Sequence, residues 1–271
     1  MSLDLDQRQR AMLREMGIRV WQPESPLGRI DDAPPSPPRG GEAAVAAARA
    51  AGSAELRPAP IPAVAATSTV SARALPADIA AQDWDALQQA VAACQACALG
   101  QSRKNTVFGV GDTRARWLVV GEAPGENEDL QGEPFVGAAG QLLDNMLKAV
   151  GLSRSGTGAQ GVYIANVLKC RPPANRNPQP EEMRQCAPYL QRQVALLQPK
   201  IILALGRFAA QALLPASVAD TPLGKLRGQL HQYQGVPVVV SYHPAYLLRT
   251  PQDKAKAWAD LCLAQDVARR P

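Results

Sequence analysis

Histidine is nearly missing from this chain: among 271 residues, only His231 and His243 carry an imidazole. Two isolated histidines exclude an HExxH zinc hydrolase, and neither a GxSxG elbow nor a phosphate-binding loop ending in Gly-Lys-Ser or Gly-Lys-Thr occurs. "GVGD" at 109–112 is too little for a dinucleotide fingerprint. Aromatic residues make up 4% of the chain. No apolar run approaches the roughly 18 residues of a membrane span. Acids are outnumbered, 24 against 29 basic residues, and the net charge of +5 favours an anionic partner, nucleic acid first. The opening "MSLDLDQRQR" is too charged for a secretory signal, so a cytoplasmic protein is expected. Structural disulfides are rare in that compartment, and the five cysteines need another explanation.

Composition divides the chain. Residues 1–21 read as a short amphipathic helix with Met12, Leu13, Met16 and Trp21 on its apolar side. Residues 22–80 hold ten of the 24 prolines, are rich in alanine, and read as a disordered linker. The leading segment could tether a repair or replication protein, and a solubilising tail is the equal alternative. From residue 81 to 271 the pattern is that of a folded domain. "DWDALQQAVAAC" reads as a helix capped by Asp83. "RWLVVGE" (116–122), "GVYIANV" (161–167) and "KIILALG" (200–206) read as buried strands. "VPVVVSY" follows as the last inner strand, in a hairpin over 229–244. Helices are expected over 138–151, 180–197, a short stretch from Arg207, and 251–270. Apolar strands alternating with helices imply an α/β fold with a parallel sheet covered on both faces. Ligands then sit at the carboxyl ends of the strands. Three loops leave those ends: "GEAPGENED", "NVLKCRPP" and "HPAYLLR".

The first of these continues as "GEAPGENEDLQGEPFVG" (121–137), whose acids would repel phosphate. Phe135 offers a stacking face, and Asn166, ending the second strand, offers a donor and an acceptor side by side. With Glu122 and His243 on the same rim, the set suits a flat, polar-edged molecule such as a nucleobase. His231 reads as an edge-strand side chain. Cys94 and Cys97 form "CQAC", and Cys170 and Cys186 are separated by a proline-rich loop. Together they fit a four-thiolate site, for which zinc and an iron–sulfur cluster are both open. Cys262 reads as a core thiol.

Over roughly residues 85–250 the chain resembles the iron–sulfur, family 4 uracil-DNA glycosylases. The motifs are "CQACALGQSRKNTVFGVGD", "GEAPGENEDLQGEPFVGAAGQLLD", "NVLKCRPPANRNPQPEEMRQCAPYL" and "HPAYLLR", in that order. The resemblance implies a three-layer α/β/α sandwich around a short, mainly parallel four-stranded sheet, behind a disordered N-terminal extension. It implies a 4Fe-4S cluster on Cys94, Cys97, Cys170 and Cys186, with a chiefly structural role. It implies action on uracil-containing DNA, with hydrolysis of the bond from uracil to deoxyribose that leaves an abasic site and free uracil; a monomer is expected. By position, Phe135 stacks on the base, Asn166 pairs with its edge, and Glu128 crowds its C5 side. The Ala123 N–H meets the base, His243 faces uracil O2, and Glu122 directs water or supports the sugar cation. Leu247 falls where relatives insert an apolar wedge, and Arg249, Lys169 and Arg171 fall where phosphate contacts are expected. Many relatives carry Ser after His-Pro, where this chain has Ala245. Sister groups with a basic insert before the third cysteine, or an apolar residue at position 122, do not match. A wider lesion range, such as hypoxanthine, and a non-catalytic DNA-binding scaffold are the alternatives.

Overall fold

The computed structural model describes residues 78–219 and 221–270. The helix read over 1–21 and nearly all of the linker read over 22–80 lie outside the described residues. The described end of that linker belongs to the domain, because Ile79 is buried beside Leu87, Val91, Phe108 and Tyr189.

Asp83 caps the first helix, α1 (Trp84–Ala93), its carboxylate accepting from the Ala86 N–H at 2.9 Å. A two-residue strand, β1 (Val110–Gly111), comes next, and then β2 (Trp117–Gly121). The acidic segment expected as a loop contains a helix, α2 (Glu126–Gln131), ended by Gly132 in the left-handed conformation. After α3 (Ala138–Ala149) come β3 (Val162–Asn166), α4 (Pro180–Leu197), β4 (Ile201–Leu205) and α5 (Arg207–Leu213). The hairpin of β5 (Leu230–Tyr233) and β6 (Val236–Ser241) leads into α6 (Pro244–Arg249), and α7 (Lys254–Ala268) follows. The "HPAYLLR" segment is thus a helical turn and not an open loop.

The sheet has the order β1-β3-β2-β4-β6-β5. The central four strands are parallel, as expected, and an antiparallel strand is added at each edge. β1 escaped the sequence reading because two residues carry no periodicity. Successive side chains on a strand point to opposite faces, and the core obeys this. Val119, Ile164, Leu203 and Val239 pack under α3, α6 and α7. Leu118, Val120, Ala165, Ile202 and Val240 pack under α4 and α5. The chain leaves β2 for a neighbour on one side, then crosses to the neighbour on the other. That switch point leaves a crevice beyond the carboxyl end of β2. The register Gly121↔Asn166 brings the ends of β2 and β3 level at its floor.

Candidate active site

A cleft of about 850 Å³ opens at this edge. Glu122, Ala123, Glu128, Phe135, Asn166, His243 and Arg249 all line it. Residues separated by more than a hundred positions therefore meet because four strands end together.

Asn166 is 2% exposed, and among the described residues its side-chain amide has no protein partner. Its backbone is held: Lys169 Nζ donates to the Asn166 carbonyl at 2.8 Å and to Gln193 Oε1 at 2.6 Å. Gln193 in turn donates to the Phe108 carbonyl at 3.0 Å. Gly121 lies beside the amide and the Phe135 ring, and a Cβ there would collide with both. Only glycine lets these two groups meet at the strand end.

Phe135 is buried and stacks on the His243 ring, centroids 5.4 Å apart and planes 27° from parallel. His243 caps α6, with its Nδ1 accepting from the Ala245 N–H at 3.2 Å. A ring nitrogen that accepts is unprotonated, so in the neutral ring Nε2 carries the hydrogen. Burial pushes the His243 pKa down to about 4, with Arg249 adding to the depression and Glu128 opposing it. Position 245 therefore meets His243 through its backbone, which alanine supplies as well as serine.

The acids of the 121–137 segment have separate duties. Glu128 holds the backbone: Oε2 accepts from Gly125 at 3.0 Å, and Oε1 accepts from Val136 at 3.0 Å and Gly137 at 3.3 Å. Asp129 is buried and accepts from Lys104 and Asn105. Glu122 alone turns a carboxylate without such partners to the cleft. Burial raises its pKa, and Arg207 opposes the rise.

Two expected DNA contacts are corrected. Leu247 is fully buried in the core, on the side of α6 that faces α3, and cannot serve as a surface wedge without leaving it. Its neighbour Leu248 is 44% exposed. Lys169 is 2% exposed and occupied by Asn166 and Gln193, so it does not reach a phosphate. Arg171 is partly committed, donating to Asn175 Oδ1 at 2.8 Å and lying 3.5 Å from Glu126. Arg249 is exposed on the rim. Sequence reading missed Arg207 and Phe208, which line the cleft with the guanidinium 5.0 Å from the ring centre. Their place just beyond the end of β4 was the available signal.

Cys94, Cys97, Cys170 and Cys186 line a second, smaller cavity with Arg103, Lys169 and Tyr189. Arg103 Nη1 donates to the Cys94 carbonyl at 2.8 Å and to Cys170 Sγ at 3.2 Å. Among the described residues the buried Tyr189 hydroxyl has no hydrogen-bond partner. Burial pushes the Cys97 and Cys170 thiols up, and that of Cys186 up to about 12. Among the described residues no group of three or more Cys, His, Asp or Glu is disposed to hold a metal ion. Cys262 stands apart, packed against the core under α7.

Residues 108–262, more than half of the chain, match the family model of the uracil DNA glycosylase superfamily. The chain belongs to the uracil-DNA glycosylase superfamily. It is 44% identical over 176 residues to a Type-4 uracil-DNA glycosylase of Archaeoglobus fulgidus, covering 63% of this chain and 86% of that protein. It is 41% identical over 186 residues to a Type-4 uracil-DNA glycosylase of Pyrobaculum aerophilum, covering 67% and 92%. For a Type-4 uracil-DNA glycosylase of Thermotoga maritima the figures are 39% over 171 residues, 63% and 85%. The matched stretch of this glycosylase-family chain contains the whole cleft. Cys94 and Cys97 lie before it.

Proposed function

We propose that the chain is a uracil-DNA glycosylase, which hydrolyses the N-glycosidic bond of deoxyuridine in DNA. The observation that carries this is one cleft holding a buried, unpartnered amide (Asn166), an aromatic face (Phe135) and a neutral imidazole donor (His243). A base inside a duplex cannot reach such a cleft, so it must be extruded, which costs least at a mismatch. Phe135 stacks on the extruded base. The Asn166 amide pairs with the N3–H and O4 of uracil, a pattern cytosine reverses. As the bond breaks, negative charge grows on the base and positive charge on the sugar. The His243 Nε2–H, aimed at O2, stabilises the first, and the Glu122 carboxylate orients water and favours the second. Arg249 and Arg207 on the rim suit the flanking phosphates. Leu248 takes over from Leu247 as the apolar side chain available to the vacated stack.

The decisive assay uses a labelled oligonucleotide with one deoxyuridine, in excess EDTA, followed by alkaline cleavage of abasic sites. Scission at the uracil alone is expected, both for the full chain and for residues 78–271. A folded protein that leaves the strand intact would sink the proposal.

The four thiols fit a 4Fe-4S cluster. Four cysteines line one cavity, and cationic Arg103 and Lys169 sit beside them to balance anionic thiolates. Held by Cys94, Cys97, Cys170 and Cys186, the cluster would supply cross-links between the "CQAC" knuckle, the loop after β3 and α4. Protein purified anaerobically is expected to be brown and to contain iron and acid-labile sulfide in equal amounts. Stoichiometric zinc in place of iron would overturn the assignment.

A further inference from the structure

The strap that carries Phe135 is gripped from both sides. Its N–H groups at Val136 and Gly137 donate to Glu128. Its carbonyls are gripped by one guanidinium: Arg154 Nη1 donates to the Pro134 carbonyl at 3.0 Å and Nη2 to the Phe135 carbonyl at 2.9 Å. Arg154 Nε donates to Asp144 Oδ1 on α3 at 2.8 Å, which fixes the fork. Gly140 backs directly onto the Phe135 carbonyl, and a Cβ there would overlap it.

This grip coincides with an unfavourable backbone. Phe135 has φ 57°, the left-handed region that a bulky side chain avoids. Such a conformation persists only where the surroundings over-determine it. Arg154 is absent from the cleft lining, so it meets no ligand there. Its two carbonyl bonds hold Phe135, whose ring forms the stacking face, and the residue before it. The planar fork of arginine spans two successive carbonyls, which the single ammonium of lysine does not.

We propose that Arg154, braced by Asp144, is a positioning residue that sets the place and tilt of the Phe135 ring, and through it the fit of the uracil base. This rests on the uracil-excision reading above. It differs from a merely structural role in being coupled to Phe135 and to no other part of the site.

The test is a double-mutant cycle in the full chain. The readouts are kcat/KM on the deoxyuridine oligonucleotide and inhibition by free uracil, both normalised to folded protein. Arg154→Ala is expected to lower kcat/KM by about 10²-fold, the scale of a group displaced by an ångström. Free-uracil affinity should fall in parallel. Arg154→Lys should recover only part of the loss, and Asp144→Asn should show a smaller fall. In a Phe135→Gly background, where no ring needs placing, adding Arg154→Ala should change either readout by no more than about twofold. Arg116→Ala is the control: it removes an Arg-to-carbonyl bond of 2.9 Å to Ala268, remote from the cleft. It should lower the melting temperature while leaving uracil inhibition unchanged.

Equal losses from Arg154→Ala with and without Phe135 would overturn the proposal, as would unchanged uracil affinity in Arg154→Lys. If Arg154→Ala does not fold, Arg154→Lys completes the same cycle. An inactive wild-type protein would sink the glycosylase reading itself, a result distinct from an active wild type with additive losses.

Discussion

His243→Ala is expected to slow uracil excision by about 10²–10³-fold, the usual cost of one donor aimed at developing charge. The loss should fall on kcat more than on KM, because the donor meets full negative charge only as the base departs. The geometry sets the protonation state. Nδ1 is held as an acceptor by the Ala245 N–H, and burial keeps the ring neutral down to a pKa of about 4. Free histidine titrates near 6.5. Between those values the unfolded chain binds the proton and the folded one does not. The His243 contribution to stability is therefore complete above about pH 6.5 and is lost as the pH falls towards 4. Catalysis by the folded protein should show no histidine limb between about pH 5 and pH 8. Burial raises the Glu122 carboxyl above its ordinary value, so the acid limb of the profile belongs to Glu122, and Glu122→Gln should abolish it. A limb near 6.5 that survives Glu122→Gln but vanishes in His243→Ala would contradict the neutral-imidazole assignment.

Asn166→Asp is expected to cost uracil excision about 10²-fold or more, because a buried polar edge loses its partner. A carboxyl at a site only 2% exposed is driven towards its neutral form. In one orientation its O–H donor and carbonyl acceptor match the N3 and N4–H of cytosine, and in that orientation the uracil edge is left unpaired. The ratio of cytosine to uracil excision should therefore rise, measured on matched oligonucleotides. In the wild type, Asn166 stands at a supported strand end. Lys169 holds its backbone and the Phe135 ring lies beside it across Gly121. Lys169, read from sequence as a phosphate contact, belongs to this support. Unchanged uracil excision in Asn166→Asp would remove Asn166 from base recognition.

Local pattern determined a great deal here. Runs such as "WLVV" and "IILAL" are apolar at every position because both faces of their strands are covered, and strands of that kind are parallel ones between helices. Once the strands are parallel, whatever follows each of them shares one edge. That is why Glu122, Asn166 and His243 could be grouped from sequence. Contacts between distant segments had no such signature. Leu247 and Leu248 are chemically identical neighbours, and only the rotation of α6 against α3 sends the first into the core and leaves the second exposed. Lys169 and Arg171 are both cations beside Cys170, yet one is buried under Gln193 and the other is half-exposed. Arg154 sits in a serine- and glycine-rich loop with no motif of its own, and its grip on Phe135 arises from packing across α3. Strand burial and strand direction are local consequences of hydrophobic pattern. Side-chain partnership depends on how helices dock on the sheet, and that is settled only when the whole core is packed.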